Sequence, residues 1–134
     1  MMLLTLGQLF TAALSVIVVG YVWYHPYVFG TMWMRAVNLS PEMAERNKRH
    51  TLSFMVFAFV SGLALAFVMR VFLGALEISS TSSALLLALL AWLGFFLPTS
   101  VAHVTWEERP LSLYLIDSFY WLAIFLTVAL VLSR

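Results

Sequence analysis

The sequence predicts an all-α membrane protein: four transmembrane helices in an antiparallel bundle, with an amphipathic segment between the first and second. Of its 134 residues, 63% are hydrophobic and only 10% are charged. A soluble domain carries roughly a quarter of its residues as Asp, Glu, Lys and Arg, so lipid must be the solvent for most of this chain. The uncharged residues also fall into four runs, each about 20 residues long and therefore able to cross hydrocarbon. All the charges except Asp117 fall between those runs or at their ends.

The first span covers residues 3–24. No charge occurs from Met1 to Met34, and a helix over 3–24 would reach roughly 33 Å at 1.5 Å per residue. Met1-Met2-Leu3-Leu4-Thr5 holds no Lys or Arg, and the apolar run continues to Tyr24 without an Ala-x-Ala site. The reading is a retained helix, not a cleaved signal peptide. Trp23 and Tyr24 close the span, as amphipathic rings do where hydrocarbon meets headgroups. Pro26 then removes a helix hydrogen bond and turns the chain along the surface. The membrane interface does not account for Phe29-Gly30-x-x-Trp33. Gly30 predicts a close backbone approach that folds Phe29 and Trp33 back over the ends of the other spans, as a lid on the His103/Asp117 end.

The segment from Arg35 to His50 carries Arg35, Glu42, Glu45, Arg46, Lys48 and Arg49. Ser40-Pro41-Glu42 reads as a helix start: a serine N-cap, proline in the first turn, and a carboxylate at the positive end of the dipole. This helix is expected to run unbroken into the second span, 51–70. There Ala58, Gly62 and Ala66 recur every fourth residue. Such a stripe lets backbones approach, either within the chain or across a homodimer. Glu77 to Ser83 is a polar turn. The third span, 84–105, contains Pro98, whose missing N–H predicts a kink and a freed Gly94 carbonyl, with Thr99 or Ser100 placed to compensate. Trp106-Glu107-Glu108-Arg109-Pro110 is a solvated turn before the fourth span, 112–133. Residues 1–134 form one domain.

Lys and Arg set the orientation. The first and third loops carry Arg35, Arg46, Lys48, Arg49 and Arg109, against Arg70 and Arg134 on the other side. That excess places the first and third loops in the cytoplasm and both termini outside.

His25, His50, His103, Glu107, Glu108 and Asp117 gather toward the same end of the bundle. A carboxylate in hydrocarbon normally faces a partner, and a hairpin of spans three and four brings His103 and Asp117 to similar depth. Tyr114, Asp117 and Trp121 share one face of span four; Trp92, Thr99 and His103 share one of span three. The candidate polar site is therefore His103, Asp117, Tyr114 and Thr99. The competing reading is structural, with Asp117 bonded to the loop or to backbone amides at its helix start. No Ser-His-Asp set, phosphate loop, dinucleotide fingerprint or H-E-x-x-H spacing is present, so no catalytic residue, metal or cofactor is assigned. A net charge of +1 excludes nucleic acid as a partner, and the absence of Cys removes thiol chemistry.

Read in order, Gly20-x-x-Trp23-Tyr24-x-Pro26-x-x-Phe29-Gly30-x-x-Trp33, Trp92-Leu93-Gly94-Phe95, Glu107/Glu108-x-Pro110-Leu111 and Ile116-Asp117-x-x-Tyr120 form a pattern. It resembles the small prokaryotic membrane proteins grouped as the domain-of-unknown-function family numbered seventeen sixty-one. The resemblance covers nearly the whole chain and implies a stand-alone four-span membrane protein, with no activity attached. His25 stands where that pattern has a small residue, and Asp117 where it has Asn. Both departures argue against family-wide catalytic roles for these two residues.

Three functions compete. The first is a non-enzymatic packing or accessory membrane protein, associating with itself or with a membrane protein partner among the membrane lipids. The second is a small oligomeric transporter or channel, its route lined by the Pro98 kink, the Gly94 carbonyl, His103 and Asp117. The third is a membrane-embedded enzyme acting on a lipid or quinone, with His103 and Asp117 as acid and base.

Overall fold

A computed structural model describes residues 2–106 and 110–134, without the side chains of residues 2–4, 41 and 103. The turn at Glu107, Glu108 and Arg109 lies outside the described residues. In order, the helices are α1 (Met2–Trp23), α2 (Thr31–Ala36), α3 (Pro41–Lys48), α4 (Thr51–Ala75), α5 (Thr81–Ala91), α6 (Leu97–Trp106) and α7 (Leu111–Leu132). Two π-helical turns intervene, Pro26–Gly30 before α2 and Trp92–Phe96 between α5 and α6. Among the described residues there is no strand. Four helical rods are long and apolar enough to cross a membrane: Thr5–Trp23, Thr51–Ala75, Thr81–Trp106 and Leu111–Leu132. The third is α5, the π-helical turn and α6 in one rod.

α7 is the hub. It packs against α1, α4, α5 and α6, and α2 also reaches it. The core is built from Ile124, Val128, Ala129 and Leu132 of α7, Ala12 and Val16 of α1, Ala66, Met69 and Leu73 of α4, and Ala84 and Ala88 of α5. Many of these are alanines because helices in lipid gain nothing by hiding oily surface from oily surface. They associate where small side chains let backbones come close. Gly62 and Ala66 of the small-residue stripe are buried, and a Cβ on Gly62 would stand 3.1 Å from the Ala13 Cα and from Val16 Cγ2. The stripe is thus turned inward, against α1.

The segment before α4 departs from the expected continuous helix. Ser40 caps α3, accepting the Met43 N–H at 3.2 Å, but α3 stops at Lys48. The Arg49 and His50 amides bond back to Arg46 and Asn47, three residues away, and the Thr51 hydroxyl takes the Lys48 carbonyl at 2.8 Å. The tightened last turn and the competing hydroxyl end the ladder, and α4 starts afresh at Thr51.

α4 in turn runs past Arg70, where the charge suggested an end, to Ala75. Arg70 remains inside the helix because its Nη1 donates to the Leu132 carbonyl at 3.4 Å, placing a cation on the negative end of α7. Beyond Ala75 the chain closes in a Schellman motif. Ile78 N–H bonds to the Leu73 carbonyl at 2.9 Å and Glu77 N–H to Gly74 at 3.1 Å, while the Ile78 side chain packs on the core. The motif puts Glu77 at φ 52°, a conformation that suits glycine. Glu77→Gly should therefore stabilise the fold by about 1 kcal/mol, read as a higher melting temperature in detergent.

α5 begins at Thr81, three residues before the expected start, because Ser80 caps it by accepting the Ser83 N–H at 3.2 Å. Its far side is less enclosed. α4 and α5 both lie on α7 without comparable packing on each other, and an apolar cleft of about 510 Å³ lies between them, lined by Leu65, Val68, Phe72, Leu90 and Phe95 with Phe125 of α7.

Candidate functional site

The opposite end of the bundle is tied together by polar bonds from the end of α1 to the first turns of α7. Asp117 stands in the second turn of α7, where a carboxylate needs a partner to offset its lost hydration. The Tyr24 hydroxyl supplies one, donating to Asp117 Oδ1 at 2.9 Å. Beside it Trp23 Nε1 donates to the Ile116 carbonyl at 3.2 Å. The rings of Trp23 and Tyr24 lie 6.3 and 5.0 Å from that of Tyr120. Gly20 makes room for this contact, since a Cβ there would come within 3.1 Å of the Tyr120 hydroxyl.

Pro26 then opens the π-helical turn. His25 caps it, its Nδ1 accepting the Tyr27 N–H at 3.4 Å, and the Gly30 N–H reaches back to the His25 carbonyl at 3.1 Å. The wide turn returns the chain onto the exit. Phe29 lies 4.6 Å from Trp23, ring to ring, and Trp33 meets Tyr24 edge-on at 5.5 Å. Trp33 therefore sits against the tyrosine that holds Asp117. His50 precedes α4 without capping it through its side chain and is exposed.

Pro98 shapes the facing wall. The sequence pattern predicts a kink that frees the Gly94 carbonyl. Ahead of the proline the helix passes through the π-helical turn Trp92–Phe96, where Leu97 N–H bonds to the Trp92 carbonyl. A π turn widens the helix and gives the proline ring the space that a regular ladder denies it. Thr99 Oγ1 donates to the Phe95 and Phe96 carbonyls at 3.0 and 2.8 Å, and Ser100 Oγ to Leu97 at 3.0 Å. These hydroxyls cover the carbonyls just ahead of Pro98, and Gly94 itself is exposed. Trp92 is buried and pins the turn to α7 through Nε1, which donates to the Ser118 carbonyl at 2.8 Å.

Between these walls lies a cavity of about 250 Å³. Thr99, Ser100 and Phe96 line it from the third rod, and Tyr114, Asp117, Ser118 and Trp121 from α7. Three of the four candidate residues, Thr99, Tyr114 and Asp117, thus share one space. The side chain of the fourth, His103, lies outside the described residues, and so does any pairing with Asp117. Ser118 was not singled out by the sequence. It is 2% exposed, and its hydroxyl is buried without a hydrogen-bond partner. The available signal was a hydroxyl next to Asp117 and one turn after Tyr114 in an otherwise apolar helix. Among the described residues no cluster of three or more His, Asp or Glu has the arrangement of a metal site. A carboxylate, hydroxyls from both rods and the rings of Phe96 and Trp121 line the cavity together.

No curated protein and no solved structure matches the chain. Residues 8–133 match the family described as Protein of unknown function (DUF1761). That match takes in the aromatic exit, both π-helical turns and the Asp117 region. From Gly20 to Tyr120 the tied residues lie inside it, and the chain is a member of the DUF1761 family.

Proposed function

We propose that this protein is a non-enzymatic, multi-pass membrane protein that works by lateral association in the bilayer. The observation that carries this reading is the apolar cleft between α4 and α5. Phe72 and Phe95 stand at its sides, 48% and 75% exposed, and it is long enough to be lined by three turns of α4, from Leu65 to Leu76. In lipid, association is driven by shape and dispersion, and a groove offers a transmembrane helix more contacts than a convex face does. At the other end Tyr24, Trp23 and Trp92 spend their polar tips on bonds within the chain.

The chain has no cysteine, so single-cysteine variants report cleanly. Phe72→Cys and Leu90→Cys should give crosslinked species in native membranes, either a dimer or an adduct with one partner. Leu52→Cys, exposed at the other end of α4, should not. Monomer alone at both cleft positions, with no co-purifying protein, would overturn the proposal.

The excess of Lys and Arg in the 35–49 segment supports placing that end of the bundle in the cytoplasm. An impermeant maleimide applied to intact cells should then label Ser79→Cys at once and Asn47→Cys only after permeabilisation. The reverse pattern would invert the orientation.

A further inference from the structure

We infer that the cavity between α6 and α7 holds water, which bridges the hydroxyls of the two helices. Its two walls offer opposite halves of a hydrogen bond. On α6 the Thr99 proton goes to the Phe95 and Phe96 carbonyls and the Ser100 proton to Leu97. Both oxygens keep lone pairs and have no second proton to give. On α7, Tyr114 and Ser118 line the same space, and each hydroxyl can donate as well as accept.

Ser118 decides the occupant. It is 2% exposed, and its hydroxyl is buried without a hydrogen-bond partner. A buried hydroxyl left bare is costly, and lipid tails have nothing to offer it. Turning the side chain to the Tyr114 carbonyl, one turn back, would engage the proton and leave the lone pairs bare. Water serves either arrangement, because it both donates and accepts. One that accepts from Ser118 or Tyr114 and donates to Thr99 or Ser100 satisfies both walls at once. Asp117 also borders the space and accepts from Tyr24, but the bridge requires nothing from it.

Size and depth agree. The cavity, at about 250 Å³, lies below the roughly 300–1,000 Å³ of pockets that enclose drug-sized ligands. It still holds several waters, each taking about 30 Å³ in the liquid. Ser118 is seven residues beyond the first residue of α7, about 10 Å by helix rise, so the water stands in the outer third of a hydrocarbon core about 30 Å thick. Thr99 is exposed, which gives the space a way out to the surface of the bundle. The bridge lies within one chain and does not depend on lateral association.

The experiment uses the full chain in lipid nanodiscs, irradiated with short X-ray pulses, with oxidised side chains located by mass spectrometry. Radiolysis turns bound water into hydroxyl radicals in place, so a side chain that touches water is labelled even inside the bundle. Trp121, on the border of the cavity, should be labelled severalfold faster than Phe57, once each is corrected for its intrinsic reactivity. Phe57 is 71% exposed within the second span, where lipid excludes water. Ser118→Ala removes the buried hydroxyl and should cut the labelling of Trp121 severalfold. Thr99→Val, of similar shape and at an exposed position, is the second variant should the first fail to fold, and should cut it as well.

Melting temperatures in detergent test the bridge itself. Ser100→Ala should lower the melting temperature of the parent protein, and should lower that of Ser118→Ala by clearly less, because the shared water is already lost. Hydroxyls that bond only within their own helices would give additive shifts and leave Trp121 unchanged. Trp121 labelled no faster than Phe57, labelling unchanged in both variants, or additive melting shifts would each overturn the bridge.

Discussion

Gly30→Val should lower the stability of the fold by about 3 kcal/mol, seen as a fall of roughly 10 °C in the melting temperature in detergent. The cost does not come from backbone dihedrals. Gly30 has φ −58° and ψ −42°, which any residue adopts in a helix. It comes from space. A Cβ at this position would overlap the Tyr24 carbonyl oxygen and come within 2.9 Å of the His25 carbonyl carbon. Both are backbone atoms and cannot rotate away. To admit a side chain, the π-helical turn must open, and Phe29, Trp33 and the Tyr24 hydroxyl depend on that turn for their positions. The fluorescence of Trp23 and Trp33 should change along with the melting temperature. Gly7→Ala is the control, because a Cβ there meets nothing within 4 Å and alanine is the better helix former. A valine variant that melts with the parent protein would show that the close turn is not a stabilising part of the fold.

The four apolar rods were legible because length, hydropathy and the position of charge all act locally along the chain. The limits of the rods were less so. Residues 49 and 50 break what composition reads as one helix, since a single threonine hydroxyl at Thr51 diverts the Lys48 carbonyl. Arg70 looks like a span end until its partner is known. That partner is the Leu132 carbonyl, 62 residues away in sequence, and no local pattern announces it. Glu77 carries no glycine signal for the left-handed turn it occupies.

The candidate site was legible in the same partial way. A lone carboxylate in an apolar span marks Asp117 as needing a partner, and helical spacing puts Tyr114 and Trp121 beside it. Tyr24 was harder to find. Its position at the end of α1 is explained fully by the headgroup interface, where tyrosine and tryptophan are common. In the fold the polar tips of Trp23 and Tyr24 turn inward, to Ile116 and Asp117. An aromatic belt residue and an internal hydrogen-bond donor look the same in sequence, and only the adjacency of α1 and α7 separates them. The π-helical turn at Trp92–Phe96 was foreshadowed by Pro98, but the kink alone does not say which carbonyls the nearby hydroxyls will take.

The small-residue stripe gives the second large expected effect. Gly62→Leu should destabilise the fold by about 3 kcal/mol, and Gly62→Ala by less, because the α1–α4 crossing is close on both sides of the glycine. The added Cβ of alanine would stand 3.1 Å from the Ala13 Cα and 3.2 Å from its carbonyl oxygen, so the two helices must part by a few tenths of an ångström. A leucine needs the room of a whole side chain where Ala12 and Ala13 are fully buried, and the crossing can supply it only by separating. That loss also reaches α7, since Val16 and Ala66 belong to the same core as Ile124 and Val128. The result discriminates between an internal and an intermolecular role for the stripe. An internal seam predicts a lower melting temperature that does not depend on protein concentration. A seam between two copies predicts a concentration-dependent melting temperature in the parent protein, and in Gly62→Leu a monomer that melts with the α1–α4 packing intact. Helix backbones this close within one chain require the first outcome, and the lateral association proposed above would then use another face, such as the α4/α5 cleft.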